Sequence, residues 1–226
     1  MNERPYRLPK KPVVEKPKGA LSRILSVILG LFAALGVAVA VSVVIELVGI
    51  ALGWWESGHA ASLLLTERSY IEAIDRLPLL ALSPVMMATT AESHFDTVTQ
   101  DIRHSAERSR GSDPLSVYFL GALNTTKLVL FRLVVCLFSL PGYAVVALGA
   151  LIDGLVQRDI RKFTGGHESS YVFHKAKRWV LPGILLTISV YLMLPWSLYP
   201  AAVFAPSMAL FGFMLYVAAS RFKKFL

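Results

Sequence analysis

The chain is poor in charged residues and contains a single cysteine. Only 17% of its 226 residues are charged and 55% are hydrophobic, whereas about 25% of the residues in an average soluble protein are charged. Cys136 cannot form an intrachain disulfide, and Cys-rich zinc and iron–sulfur sites are excluded with it. Its apolar neighbours indicate a buried, unreactive thiol. An apolar excess of this size indicates a protein that is embedded in lipid.

Common catalytic and nucleotide-binding motifs are also missing. The sequence has no Walker A, GxGxxG or GxSxG pattern. Glu92, His94 and Asp96 have side chains that bind metals, but residues two apart point in different directions on a helix. We therefore expect a protein that is not an enzyme and that holds no cofactor and no metal.

Long apolar runs dominate the rest of the sequence. Three runs of 20 or more residues contain no charge, and the last, residues 180–220, is about twice as long as one membrane-spanning helix. Pro195, Pro200 and Pro206 divide this last run into two helices, because proline interrupts helical hydrogen bonding. The sequence therefore predicts an all-α integral membrane protein with four transmembrane helices. These are residues 24–45, 133–152, 180–198 and 201–220.

The distribution of charge predicts the orientation of these helices. Sixteen of the 23 basic residues lie in the proline-rich arm 1–23, the connection 153–179 and the tail 221–226. The connection 46–132 holds the other seven, so that the two faces carry net charges of +11 and −3. Because cytoplasmic segments are rich in Lys and Arg, the positive face and both termini are expected in the cytoplasm.

The connection 46–132 is predicted to form a small helical cap outside the membrane. Residues 60–77 have the apolar spacing of an amphipathic helix that ends at Pro78, and residues 92–110 predict a second, polar helix. The apolar stretch 77–91 is too short for a span, and it either lies at the membrane interface or enters the bilayer as a re-entrant segment.

Two charged residues mark the points where the first two helices leave the membrane. Glu46 and Arg132 lie at the outer ends of these helices, so the sequence predicts an interhelical ion pair between them, with separate extension of each side chain to the interface as the alternative. A second hypothesis places Glu46, Lys127 and Arg132 at the outer vestibule of a small channel or carrier. The absence of acidic residues inside the apolar runs argues against this hypothesis.

The connection 153–179 is predicted to be a basic helical hairpin that turns at Gly165 and Gly166. Lipid headgroups or a cytoplasmic protein would bind such a surface, and lipid, protein and DNA are the candidate partners of the arm 1–23. Nucleic acid is not expected to bind directly, since so short a patch makes few phosphate contacts. The candidate contact residues are Arg158, Arg161, Lys162, His174, Lys175, Lys177 and Arg178.

The same connection carries a family resemblance. From residue 157 it reads QRDIRKFTGGHESSYVFHKAKRW, after an apolar span and before a charge-free terminal hairpin. With the basic, proline-rich N-terminus, this sequence resembles a family of bacterial inner-membrane proteins from integrating conjugative elements. Members of that family are encoded among conjugative type IV secretion genes, near the coupling ATPase, and have no assigned catalytic residues.

The resemblance implies in which cellular apparatus and in which membrane the predicted protein works. We expect a non-enzymatic inner-membrane component of a conjugative DNA-transfer apparatus, with residues 46–132 in the periplasm. The expected partners are inner-membrane lipids and other membrane subunits of the secretion system, with the coupling ATPase as one candidate. Oligomerisation is a further expectation.

Overall fold

The computed structural model describes residues 20–75, 83–111, 113–164 and 170–221, which form six α-helices and no strand. The expectation of an all-helical protein is confirmed. The predicted arm 1–23 and tail 221–226 fall mostly outside the described residues, but residues 20–23 already belong to the first helix. The helices are α1 (Ala20–Ala51), α2 (His59–Asp75), α3 (Pro84–Ser109), α4 (Pro114–Thr164), α5 (Ser170–Met193) and α6 (Pro200–Ser220).

Three helices of the described chain are long and apolar enough to cross a membrane, fewer than the four predicted. They are α1 over Phe32–Ala51, α4 over Pro114–Arg161 and α6 over Pro200–Ser220. At most 22% of each apolar stretch is buried inside the protein, so most of it is exposed, which is compatible with a membrane protein. The apolar part of α5, Arg178–Met193, is shorter than the other three.

Two compact units divide the chain, one ending at Ala34 and the other beginning at Leu35. The described part of the first unit is the start of α1, where Leu25, Leu29 and Phe32 are more than half exposed. The second unit has a continuous apolar core to which α1, α2, α3, α4, α5 and α6 all contribute. Its members include Ala38, Ala60, Leu64, Ile71, Ala88, Val129, Phe131, Tyr191 and Phe204.

Helix α4 is the central element of the second unit, since it packs against α2, α3, α5 and α6. It has 51 residues, which corresponds to a length of about 77 Å. The predicted span 133–152 occupies only its middle. The helix extends in both directions because the sequence from Pro114 to Thr164 has Pro141 as its one interior helix breaker.

Helices α2 and α3 form what we call the cap. The helix predicted over residues 60–77 is α2, whereas the helix predicted over 92–110 begins earlier, at Pro84. Ser83 caps this earlier start by accepting the backbone N–H of Met86 (3.1 Å). Ala88 is buried in the protein core. The second half of the apolar stretch 77–91 is therefore part of α3 and packs against protein, and residues 76–82 lie outside the described chain.

Helix α5 ends at Met193, five residues before the predicted end of the span 180–198. The residue before a proline is disfavoured in helical conformation, and here Pro195 directly follows Leu194. The residues from Leu194 to Tyr199 form the turn between α5 and α6. Helix α6 then starts at Pro200, where a missing backbone N–H removes no hydrogen bond.

Candidate functional site

A buried ion pair joins the cap to α4. Arg132 of α4 and Glu67 of α2 are each 1% exposed. The Arg132 Nε donates to both carboxylate oxygens of Glu67 (3.0 and 3.1 Å), and its Nη2 donates to Oε1 (2.5 Å). A guanidinium that meets a carboxylate at two nitrogens makes one of the strongest charge-assisted contacts in proteins. Because one partner lies on each helix, this contact fixes how α2 sits on α4.

Arg132 also holds the end of α5. Its Nη1 donates to the carbonyls of Tyr191 and Leu194, and its Nη2 donates to the carbonyl of Trp196 (2.9 Å). The guanidinium carbon lies 5.6 Å from the centre of the Tyr191 ring. The last carbonyls of a helix lack internal partners and carry partial negative charge, which a cation stabilises. One side chain thus connects α4, α2, α5 and the turn before α6.

A second group of charges lies between the cap and α4. Lys127 of α4 contacts Asp96 (2.6 Å) and Glu92 (3.7 Å) of α3, and Arg68 of α2 donates to Glu92. Glu92 is buried, although Asp96 is partly exposed. We call the two groups together the charged interface. It consists of Glu67, Arg68, Glu92, Asp96, Lys127 and Arg132.

The pairing with Arg132 offsets the cost of burying the charged Glu67 carboxylate. Burial raises the pKa of the Glu67 carboxyl above its ordinary value, while the hydrogen bond and positive charge of Arg132 lower it. A charged residue within an apolar span costs on the order of 3 kcal/mol when it has no partner. The charged interface is therefore a paired contact between helices, and each charge that it buries has an opposite charge beside it.

The predicted ion pair between Glu46 and Arg132 is not formed in the structure. Glu46 instead contacts His59 Nδ1 (3.1 Å) and accepts the backbone N–H of Ala60 (3.1 Å). It thereby caps the first turn of α2, where free N–H groups favour a negative charge. Glu67 lies eight residues after His59, the first residue of α2, which is about 12 Å along the helix. There it contacts Arg132. The geometry of α2 thus separates the two predicted partners.

The three residues of the channel hypothesis occupy three different contacts. Glu46 binds the start of α2, Lys127 binds α3, and Arg132 binds Glu67 and the end of α5. The structure does not bring them together as one vestibule. Within the described residues, no group of three or more His, Cys, Asp or Glu side chains could hold a metal ion.

The candidate contact residues of the inner hairpin are only partly described. Arg158 pairs with its neighbour Asp159 (3.2 Å), and Arg161 donates to the carbonyl of Ser220 at the end of α6 (3.0 Å). Lys175 and Arg178 are exposed. The side chains of Lys162, His174 and Lys177 lie outside the described part of the chain.

Sequence reasoning missed Glu67, although a signal was present. Glu67 lies three residues after Leu64 and four before Ile71, so all three face the same side of α2, and all three are buried. A charged residue on the apolar side of an amphipathic helix indicates a buried partner on a neighbouring element. The sequence pattern does not say which residue that partner is.

A polar contact between the apolar parts of three helices was also missed. Tyr143 of α4 donates to Ser207 of α6 (2.7 Å), and Ser207 lies 2.8 Å from the hydroxyl of Thr187 of α5. Hydroxyl groups inside apolar helices stabilise helix contacts because lipid offers them no hydrogen-bond partner. This triad links α4, α5 and α6 on the far side of Arg132 from the cap.

The comparison with known families decides the wider assignment. A family model described as IncC plasmid conjugative DNA transfer protein DtrJ-like matches residues 56–223. The chain belongs to the DtrJ-like family. The expected resemblance to a conjugation-associated family is confirmed, and the family points to conjugative DNA transfer. The DtrJ-like range contains the whole charged interface and excludes Glu46. No curated protein and no solved structure is significantly similar to the chain.

Proposed function

We propose that the protein is a non-enzymatic inner-membrane scaffold of a conjugative type IV secretion system, which acts through contacts with other subunits. The observation that carries this proposal is the charged interface in a chain of the DtrJ-like family. Its charged side chains join the cap to α4, and Arg132 also binds the end of α5. A firmly attached cap on apolar helices suits a protein that presents a surface to partners, and the coupling ATPase is the partner we propose.

The proposal includes four membrane crossings, by α1, α4, α5 and α6. Helix α5 has 24 residues, or about 36 Å, and its Arg178 and Trp179 suit the headgroup layer. Arg132 contacts the end of α5, and Arg161 contacts the end of α6. These two residues are 29 positions apart on α4, about 44 Å, which is close to the thickness of a bilayer with its headgroups.

The distribution of charge supports an orientation with both termini in the cytoplasm and the cap in the periplasm. In this orientation the basic hairpin between α4 and α5 faces the cytoplasmic subunits. The cap faces the periplasmic ones.

Transfer frequency and partner capture test the proposed role. Deleting the gene in a donor cell should lower conjugative transfer, and the tagged protein in mild detergent should retain the coupling ATPase. Arg132→Gln should lower both readouts because it releases the cap from α4 and α5. Arg108→Gln, an exposed change on α3, is the matched control and should leave both unchanged. Normal transfer by the deletion strain would contradict the proposal.

A further inference from the structure

A cavity lies between the ends of α4, α5 and α6 that are farthest from the cap. Its volume is about 720 Å³, within the range of small-molecule sites. Three basic residues among those that the structure describes line it: Arg161 from α4, Lys175 from α5 and Arg221 at the end of α6. Within the described part of the chain, no residue that lines it is acidic. The cavity therefore favours an anion.

Apolar side chains form the other walls of this cavity. Trp179 and Phe213 line it and are 56% and 59% exposed. Met214 and Val217 continue the apolar wall along α6. Basic groups at the end of apolar helices, above an apolar wall, match a molecule with an anionic head and hydrocarbon chains. A free anion would gain nothing from the apolar wall.

A hydrogen bond fixes the position of Arg161 in the wall of this cavity. Its Nη1 donates to the carbonyl of Ser220 (3.0 Å), which fixes the side chain beside the end of α6. A guanidinium has five N–H donors, and this bond accounts for one of them. Planar guanidinium groups bind phosphate oxygens at two positions, which makes Arg161 the natural phosphate ligand of the cavity.

We infer that this cavity binds the phosphate headgroup of an anionic phospholipid, through Arg161, Lys175 and Arg221, with acyl chains against Trp179 and Phe213. The inference rests on the membrane placement proposed above. It narrows the general expectation of lipid contact to one site with defined walls. The cavity beside the cap offers a contrast, because its charged lining residues are Asp101 and Asp113.

Bromolipid quenching of Trp179 tests the site. The full-length protein is placed in phosphatidylcholine vesicles that contain a small fraction of brominated phosphatidylglycerol or brominated phosphatidylcholine. The signal of Trp179 is the difference between the protein and its Trp179→Phe variant. We expect quenching at a much lower fraction of phosphatidylglycerol than of phosphatidylcholine. Equal quenching by the two lipids would overturn the inference.

Charge variants separate the site from general surface attraction. Arg161→Gln/Lys175→Gln should weaken the preference for phosphatidylglycerol by on the order of tenfold, since each basic group at a membrane surface contributes a large part of that factor. Arg158→Gln/Arg178→Gln removes the same charge nearby but outside the cavity lining, so it loses only the general attraction to the surface and should weaken the preference several-fold less than the first pair. Equal losses in the two variants would overturn a defined site.

Two further controls keep the outcomes distinct. Arg161→Lys retains the charge but loses the two-position contact of a guanidinium with phosphate, so it should keep only part of the preference, and thermal unfolding should show that every variant is folded. Displacement of the lipid signal by inorganic phosphate, but not by chloride at equal ionic strength, would show that free phosphate is the ligand and overturn the lipid assignment. Failure of the protein to float with the vesicles would instead contradict the proposed membrane placement.

Discussion

Arg132 is the residue on which the attachment of the cap depends. It is 1% exposed and binds Glu67 together with the carbonyls of Tyr191, Leu194 and Trp196. A buried ion pair adds little to stability when it is compared with a well-packed apolar pair, but losing one partner leaves a buried charge unpaired. The stability of the protein should therefore respond strongly to changes at either partner.

Single substitutions at this pair should be strongly destabilising. Arg132→Gln and Glu67→Gln should each lower the free energy of unfolding by about 3 kcal/mol or more. Arg132→Gln should cost more of the two, because it also removes the hydrogen bonds to three carbonyls. Thermal or denaturant unfolding in a fixed detergent measures both.

The double variant tests whether the two residues act as a pair. Glu67→Gln/Arg132→Gln should cost less than the sum of the single variants, since neither side chain is then left with an unpaired charge. Arg108→Gln, on the exposed part of α3, is expected to change the free energy of unfolding by less than about 0.5 kcal/mol. Additive losses from the two single changes would contradict a direct pairing.

At the scale of helices, α4 and α6 approach closely at a glycine. A Cβ atom added to Gly154 would lie 2.6 Å from the Cβ of Ala219 and 3.0 Å from the carbonyl oxygen of Tyr216. Neither atom is the end of a flexible side chain, so α6 would have to move. Small residues permit such close contacts between apolar helices. Gly149, five residues away on α4, has nothing within 4 Å of the same position.

Alanine at these two glycines should have opposite effects. Gly154→Ala should lower the free energy of unfolding by about 1–3 kcal/mol through overpacking. Gly149→Ala should leave it unchanged or raise it by roughly 0.5 kcal/mol, because alanine favours helix and meets open space. A thermal unfolding midpoint that falls equally in both variants would argue against the close α4–α6 contact.

The hydroxyl triad of Tyr143, Ser207 and Thr187 gives a milder prediction at the same scale. Tyr143→Phe removes the donor to Ser207 while keeping the ring. The expected loss is about 0.6–1.7 kcal/mol, the range of hydrogen bonds between apolar helices. Tyr118→Phe removes a hydroxyl outside the triad and serves as the control in the same unfolding measurement. A Tyr143→Phe variant as stable as this control would indicate that the triad contributes nothing.

The sequence predicts helices better than their partners. Apolar periodicity and Pro78 place α2, and the glycines at 165 and 166 agree with a helix that ends at Thr164. The pairing of Glu67 with Arg132 could not be derived in the same way. Periodicity shows which side of a helix is apolar, but the rotation of one helix against another depends on packing between distant segments. Glu46 and Arg132 lie at the outer ends of the first two predicted membrane helices. In the structure they contact different parts of α2, and α2 separates them in space.

For α5 the sequence was misleading in another way. A charge-free run from residue 180 to 220 shows that the segment is apolar, but not where its helices end. Pro195 ends α5 at Met193, and the freed carbonyls need donors. Arg132 supplies them from a helix about 60 residues earlier in the chain, which no local pattern indicates.

At the scale of the whole molecule, the net charge of +8 is the sum of +11 in residues 1–23, 153–179 and 221–226 and −3 in residues 46–132, and the proposed orientation places these two groups on opposite faces of the membrane. Cysteine labelling measures which residues lie on the periplasmic side of the membrane and which lie on the cytoplasmic side. In a Cys136→Ala background, Gly111→Cys beside the cap should react with a membrane-impermeant maleimide in spheroplasts. Thr164→Cys at the end of α4 should react only after the membrane is opened. Labelling of both positions in intact spheroplasts would contradict the proposed orientation.

The length of α4 has a mechanical consequence. The cap, α5 and α6 all pack against one continuous helix of 51 residues that also carries Arg161 near its end. In a rod about 77 Å long, a tilt of roughly 5° moves one end by about 7 Å relative to the other. Because the cap is attached to α4 at Arg132, a load that tilts the cap together with α4 would also displace the end of α4 at Arg161.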